Sequence, residues 1–185
     1  LMTGNTLGLS GGVDDPLDPY ATYANFYDGP GQLHSAFTWI NDRNPPTQPL
    51  RSGLEIHREY TDDSGETVET FTQGQEVTVH LRIRSLKSPL VTNVAIVDLL
   101  PGGFEVIRSS VPRTVGRWTA DYVDVREDRV VFYGHVGTSV RDLTYRVKVV
   151  SAGSFSLPAA AAESMYDRSL KAATAGGRIT VAPAP

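Results

Sequence analysis

The stretch Val77-Thr78-Val79-His80-Leu81-Arg82-Ile83-Arg84 alternates apolar and polar side chains without interruption over eight residues. Successive side chains of a β-strand point to opposite faces, so a strict period of two predicts a strand that is buried on one face only. A helix would instead repeat its apolar residues three and four positions apart. The stretch therefore predicts a sheet with a packed inner face, formed here by Val77, Val79, Leu81 and Ile83.

Similar, shorter patterns lie on both sides of this strand. Leu54, Ile56 and Tyr60 share one face of LEIHREY, with Arg58 as a polar intrusion among them. Further strands are predicted at 91–100, 104–108, 129–136, 143–149, 155–157 and 177–181. The strand at 129–136 is apolar on both faces, as expected of a central strand. Seven or more short strands separated by turns indicate an all-β fold, an antiparallel Ig/fibronectin-like sandwich.

One stretch conflicts with this strand pattern. PAAAAESMY, at 158–166, is rich in residues of high helix propensity. The residues before it, Gly153 to Leu157, alternate as a strand does. We therefore predict that the strand at 155–157 is followed by an irregular or helical crossing.

Residues 1–49 differ in composition from the rest of the chain. Two Asp-Pro steps, at 15–16 and 18–19, exclude a helix interior or a central strand because proline has no backbone N–H. We expect 1–49 to be an acidic, irregular lead-in with one or two short strands. The proline-rich run at 44–49 is typical of an extended spacer, so the sandwich domain is placed at 50–185. Four clustered aromatic residues fit either a mobile lead-in or an aromatic strap against this domain or a neighbour: Tyr20, Tyr23, Phe26 and Tyr27.

Charge and composition exclude several classes of function. The whole net charge of −4 comes from residues 1–50, because acidic and basic residues are equal in number over 51–185. No face is predicted to be basic, so nucleic acid is not expected as a partner. The absence of cysteine excludes a disulfide, a thiol nucleophile and a cysteine metal site within the chain. No apolar run reaches the roughly 20 residues of a membrane helix, and we expect a fragment or processed form without a signal peptide.

Residues that could carry chemistry are few and scattered. The histidines do not share metal-ligand spacing, and we interpret them as surface or edge residues: His34, His57, His80 and His135. The run from Asp121 to Arg129 holds four carboxylates that could bind Ca²⁺, but its interleaved arginines favour a solvated loop with local ion pairs. Neither a Gly-x-Ser-x-Gly elbow nor a phosphate-cradling glycine loop is present. We predict no enzyme activity, no metal and no cofactor.

Five segments together resemble the C-terminal macroglobulin-like domain of bacterial α2-macroglobulins. They are PLRSGLEIHREYTDDSG (49–65), VTNVAIVDLLPGGFEV (91–106), DYVDVREDRVVFYG (121–134), YRVKVVSAGSFSLP (145–158) and AAESMYDRSLKAATAGGRITV (161–181). The resemblance extends from Pro49 to Val181, and LLPGGFE followed by ESMYD makes it specific. It implies a large periplasmic protein of many β-sandwich domains that traps proteases after they cut a bait segment.

The resemblance also implies which residues touch the rest of such a protein. In this family a Met-Tyr pair covers a thioester, or its vestige, in a neighbouring α-helical domain, and here that pair is Met165-Tyr166. A thioester survives only where water is excluded, and Met and Tyr supply apolar cover. The expected role of this domain is interdomain contact that controls the trap. Proteases are expected as partners of the parent protein. The alternative is a pair packed inside its own sandwich.

Two other functions stay open from the residues themselves. A structural envelope module would bind inner-membrane-associated proteins through a sheet edge or through the strap at Tyr20–Tyr27. A carbohydrate-binding sandwich would use Trp39 or Trp118 as a stacking platform. Trp118 follows Gly116-Arg117 in a predicted loop, although tryptophan is more common in a core or an interface.

Overall fold

The described part of the chain is built almost wholly from β-strands. The computed structural model describes residues 46–115 and 118–184. The lead-in and its aromatic residues at 20–27 lie outside these ranges, and the domain boundary at residue 50 stays a prediction. None of the helices in the described ranges has the length and apolarity needed to cross a membrane. The elements are β1 Leu50–Ser52, β2 Leu54–Thr61, β3 Phe71–Thr72, β4 Glu76–Ser85, β5 Leu90–Leu99, β6 Phe104–Val106, a 3-10 helix Arg108–Ser110, β7 Thr114–Val115, β8 Trp118–Thr119, β9 Tyr122–Val125, β10 Arg129–Gly137, β11 Arg141–Val149, β12 Gly153–Leu157, β13 Ala161–Ser164, β14 Lys171–Ala173 and β15 Gly177–Ala182.

Two antiparallel sheets form the sandwich that the strand pattern predicted. The larger sheet has the strand order β1-β14-β13-β5-β10-β9, and the second has the order β2-β4-β11-β6. In the larger sheet Leu90 lies opposite Gly137 and Leu99 lies opposite Arg129. Because β10 pairs with β5 on one side and β9 on the other, the prediction of a central strand at 129–136 is confirmed.

Two smaller sheets complete the described fold: a two-stranded sheet of β7 and β8, and a three-stranded sheet. Its order is β12-β15-β3, and β12 includes the strand predicted at 155–157. β15 runs antiparallel to β12 but parallel to β3, with Val181 opposite Phe71. The Phe71 ring packs edge-on against Phe104, with centroids 5.1 Å apart, so this sheet shares the core of the sandwich.

The inner faces of the two main sheets meet in one apolar core. The four side chains predicted to face inward on the alternating strand are all buried: Val77, Val79, Leu81 and Ile83. Phe132 of the larger sheet and Tyr145 of the second sheet bring their ring centroids within 6.5 Å of each other. Burial of this kind contributes about 25 cal/mol per Å² of apolar surface, which makes the core the main stabilising feature.

The helix considered for 158–166 is wrong. Pro158–Ala160 is irregular as expected, but Ala161–Ser164 form a fully buried strand between β5 and β14. The preference of alanine for a helix amounts to only about 0.7 kcal/mol or less per residue relative to ordinary residues. Pairing on both sides and burial of all four residues outweigh that preference.

Candidate docking surface

Met165 and Tyr166 lie in the loop that joins β13 to β14, residues 165–170. The two strands are neighbours in the larger sheet, so the loop projects from the end of that sheet. Tyr166 is 77% exposed, while Met165 is half-buried. Tyr166 therefore does not pack inside its own sandwich.

Hydrogen bonds inside the loop hold its backbone in one shape. Ser164 N–H donates to Leu170 O at 3.0 Å, and Leu170 N–H donates to Asp167 O at 3.0 Å. The Asp167 carboxylate accepts the Ser169 hydroxyl at 2.6 Å and the Ser169 N–H at 3.0 Å. The hydroxyl first, and then the N–H, hold the pKa of Asp167 below its ordinary value because both stabilise the ionised form. Tyr166 therefore lies in a turn whose backbone is held by hydrogen bonds.

Two further contacts fasten the loop to the body of the domain. Met165 N–H donates to the carbonyl oxygen of Asn93 in β5 at 2.8 Å. Gly53 has a φ of +70°, and a Cβ at this position would collide with Cδ2 of Leu170. Glycine is needed there for both reasons, since other residues are strained at positive φ and would displace Leu170.

Most of the exposed large apolar side chains of the described residues gather at one end of the sandwich. Five such side chains are exposed among these residues. Four of them lie at this end, and the remaining one, Tyr122, lies on the edge strand β9. We use the name apolar end for the other four together with Met165: Leu86, Leu90, Val140, Met165 and Tyr166. Single exposed apolar residues are ordinary, whereas a group of them marks an interaction surface.

Strand register explains why these residues share one end. Leu90 opens β5 opposite Gly137, the last residue of β10, and Val140 lies in the turn that follows. Leu86 follows β4, and its N–H donates to Gly53 O at 2.9 Å, next to the 165–170 loop. The apolar end is therefore assembled from three separate connections between strands.

Charged residues of both signs border the apolar end. Lys87 lies in the β4–β5 connection, Arg141 begins β11, and Lys171 begins β14. Arg168 lies in the 165–170 loop, where Asp167 carries the opposite charge. Glu163 lies opposite Lys171, and Asp142 follows Arg141, so the charged border is mixed. An apolar centre with a polar rim is the usual arrangement of a protein interface.

A buried polar cluster joins the two main sheets, and the sequence reading missed it. Arg58 of β2 donates to the Asp98 carboxylate of β5 at 2.6 Å and to Pro158 O at 2.6 Å. Tyr145 of β11 donates its hydroxyl to the other Asp98 oxygen at 2.6 Å. The side chains of Arg58 and Asp98 are 3% and 0% exposed. The available signal was a charged residue in each of two apolar strands, Arg58 in LEIHREY and Asp98 in VAIVDLL.

The charges of this cluster are balanced rather than poised for proton transfer. Burial acts to lower the pKa of Arg58, but the neighbouring Tyr60 and then the Asp98 carboxylate outweigh it and raise the pKa. Burial, followed by the Asp98 carboxylate, raises the pKa of Tyr145 well above its ordinary value. Arginine and tyrosine therefore stay protonated near neutral pH and hold Asp98 between two donors. The arrangement supports the sandwich and offers no general acid or base.

Trp118 is not a platform for stacking sugars, which argues against the carbohydrate-binding alternative at this residue. The residue is buried, and its Nε1–H donates to His135 O at 2.6 Å. Its ring lies against Gly134, where a Cβ would be 2.8 Å from Cζ2 of Trp118. The other candidate, Trp39, lies outside the described residues.

The acidic run at 121–129 makes local ion pairs, as predicted, although part of it is the strand β9 rather than a loop. Asp124 accepts a hydrogen bond from Arg126 Nε at 2.8 Å. Across residues 46–115 and 118–184, no group of three His, Cys, Asp or Glu side chains is placed to hold a metal ion. Ion pairing thus accounts for the run.

The described histidines lie at the surface or at its edge, as predicted. His57 is exposed, and the side chain of His135 is about half exposed. His80 is partly buried, with Nδ1 3.0 Å from an Asp142 carboxylate oxygen. His34 lies outside the described residues.

The described residues fold as a macroglobulin-like β-sandwich. The family model described as the bacterial alpha-2-macroglobulin MG10 domain matches residues 53–168. The chain belongs to that family.

Relatives and solved structures agree with the assignment. The alpha-2-macroglobulin homolog of Yersinia pestis is 40% identical over 167 aligned residues, which cover 77% of this chain and 8% of the homolog. The alpha-2-macroglobulin of Pasteurella multocida is 37% identical, covering 75% of this chain and 7% of that protein. The native conformation of Escherichia coli alpha-2-macroglobulin matches the fold with a TM-score of 0.68 at 23% identity, covering 76% of this chain and 10% of that one. The chain thus spans less than a tenth of the length of these two curated relatives.

Proposed function

We propose that this chain is the non-catalytic, C-terminal domain of a periplasmic bacterial α2-macroglobulin that traps proteases. Its work is to dock on the thioester-type domain of the same polypeptide and so control the shape change of the trap. The observation that carries this proposal is the apolar end, with Tyr166 at 77% exposure on a hydrogen-bonded loop. The docking partner presents an apolar surface to this end, with a polar rim around it.

Physical chemistry favours Tyr166 as the anchor of this contact. Interface energy concentrates in a few aromatic and arginine residues that fill pockets near the centre of a contact. A side chain already held on an ordered loop loses less conformational freedom on binding. Asp167 and Asn93 provide that order through the hydrogen bonds given above.

The non-catalytic role is supported by the state of the buried Arg58–Asp98–Tyr145 cluster. Its carboxylate, Asp98, is held by Arg58 and Tyr145 and lies inside the sandwich with 0% exposure. A substrate could not reach it without opening the sheets. We accordingly expect the 185-residue chain alone neither to cleave casein nor to inhibit trypsin.

The test compares hydrogen exchange of the 165–170 loop in the full-length parent and in this chain alone. Docking should add protection to the loop in the parent, and Tyr166→Ala should remove most of that added protection. Tyr122→Ala is the matched control, because Tyr122 is 58% exposed but lies on the edge strand β9, away from the apolar end. Tyr166→Ala should unfold within about 0.5 kcal/mol of the original chain, as surface changes usually do. Tyr122→Ala also loses the contact of its ring with Tyr133, at 5.9 Å between centroids, so a further loss of about 0.5–1.5 kcal/mol is expected for the control.

Equal protection of the loop in the parent and in the isolated chain would contradict docking at this end. Equal effects of the two tyrosine variants would contradict the assignment of Tyr166 as the anchor. A loss specific to Tyr166→Ala, together with altered small-angle scattering of the parent, supports the proposal.

A further inference from the structure

One backbone irregularity lies directly beneath the apolar end. Asn93 has a φ of 53°, and no other non-glycine residue in the described ranges has positive φ. At the same point the pairing of β5 with β10 shifts, since Gly134 lies opposite Val94 and Val136 lies opposite Val91. Two residues of β5 therefore face a single residue of β10, which is a β-bulge.

The bulge joins two parts of the apolar end. On its C-terminal side β5 pairs with β13, and the Asn93 carbonyl accepts the N–H of Met165 at 2.8 Å. On its N-terminal side the strand runs back to Leu90, which is 56% exposed. A rotation about φ of Asn93 would move Leu90 relative to the Met165 N–H. The angle at this residue thus sets the spacing between Leu90 and the loop that carries Tyr166.

Asparagine suits this position because of its backbone conformation rather than because of side-chain packing. The Asn93 side chain is exposed, so core packing does not select it. Asparagine tolerates the left-handed region better than most residues because its short side chain can hydrogen-bond locally. A β-branched residue at positive φ is strongly disfavoured. Bulges re-aim neighbouring side chains, which is the effect required here.

We propose that Asn93 is a positioning residue for the apolar end, fixing Leu90 and the Met165–Tyr166 loop in one relative placement. This inference rests on the proposed docking function. Asn93 acts on the partner only through the residues that it positions. Replacing Asn93 by a residue for which positive φ is unfavourable should therefore disturb docking, although Leu90 and the Met165–Tyr166 loop keep their side chains.

The first experiment measures exchange of the Met165 amide in the 185-residue chain by NMR. Asn93→Val should raise this exchange rate about tenfold, because the left-handed conformation becomes costly and the bond to the Asn93 carbonyl opens. Asn93→Gly should stay within about threefold of the original rate, because glycine adopts positive φ freely. Thr92→Val is the matched control, since Thr92 is the exposed neighbour within the same bulge.

The second experiment places the same variants in the full-length parent and measures protection of the 165–170 loop. Asn93→Val should lose the protection gained by docking, and Asn93→Gly should keep it. Equal behaviour of Val and Gly at this position, or an unchanged Met165 amide in Asn93→Val, overturns the inference. Tyr166→Ala separates the two proposals: if it has no effect in the parent, docking fails, whereas an effect of Tyr166→Ala without one of Asn93→Val rejects only the role of Asn93.

Discussion

The Arg58–Asp98–Tyr145 cluster and the apolar end both depart from the usual arrangement of polar residues outside and apolar residues inside. The cluster places charges at 3% and 0% exposure between two sheets. The apolar end places a tyrosine at 77% exposure on a loop. Charges in the interior must be paired, whereas an apolar side chain in water costs the fold little.

Stability and function reside in different parts of this domain. The buried cluster touches three strands, β2, β5 and β11, so its loss should disturb the whole sandwich. Tyr166 touches little of its own domain, so its loss should leave the sandwich intact and change only what binds to it.

The largest effect is expected for Asp98→Ala. Removing the carboxylate leaves Arg58 buried without its partner, and breaking a buried pair costs about 3–5 kcal/mol of unfolding free energy. Urea denaturation followed by circular dichroism measures this cost. Asp142→Ala is the matched control, because the Asp142 side chain is 38% exposed and its ion pairs should be worth about 1 kcal/mol or less.

A double variant sharpens the same measurement. Arg58→Met with Asp98→Leu removes both charges, and apolar replacements of buried pairs are often neutral or stabilising. We expect the double variant to be more stable than Asp98→Ala alone. A loss in Asp98→Ala no larger than that of Asp142→Ala would show that the cluster does not support the sandwich.

A smaller loss is expected for Tyr145→Phe, which removes one hydroxyl and keeps the ring that packs on Phe132. Hydrogen bonds to charged groups contribute about 1.5–3 kcal/mol, and the Asp98 oxygen would be left without its donor. Thermal and urea unfolding should place this variant between the original chain and Asp98→Ala. Stability equal to that of the original chain would mean that Arg58 alone satisfies the carboxylate.

Much of this fold could be predicted from local patterns. Alternation placed Val77 and Ile83 inward, because one face of their strand is buried. A continuous apolar run, without alternation, identified 129–136 as a central strand. Residues 158–166 resisted the same reasoning. Their alanines favour a helix locally, but pairing with β5, distant in sequence, makes 161–164 a strand.

The candidate surface was harder to predict than the fold. Met165-Tyr166 was reached only through a family resemblance, since a Met-Tyr pair carries no pattern of its own. Leu86, Leu90 and Val140 come together through strand register, which one sequence does not specify. The pairing of Arg58 with Asp98 spans 40 positions and required the three-dimensional structure.

The smallest effect concerns the turn that displays Tyr166. Asp167 accepts two hydrogen bonds from Ser169, and its pKa is lowered, so the ionised form stabilises the turn. A group whose pKa is lower in the folded state stabilises above the unfolded pKa and loses that contribution as pH falls through the folded pKa. Exchange of the Ser169 amide, corrected for its intrinsic pH dependence, should therefore accelerate below about pH 4.

Asp62 offers an internal reference for this titration. Its carboxylate likewise accepts the N–H and hydroxyl of Ser64, and its pKa is lowered by the hydroxyl first. The Asp62 turn lies between β2 and β3, outside the apolar end, so both turns should loosen together on acidification. Loosening of the Asp167 turn, but not of the Asp62 turn, should also reduce docking in the parent. Asp167→Asn should reduce the pH dependence of amide exchange at Ser169 and leave that at Ser64 unchanged. Faster exchange of the Ser169 amide in acid with unchanged docking would contradict this role, because it would show that docking of Tyr166 does not require an ordered Asp167 turn.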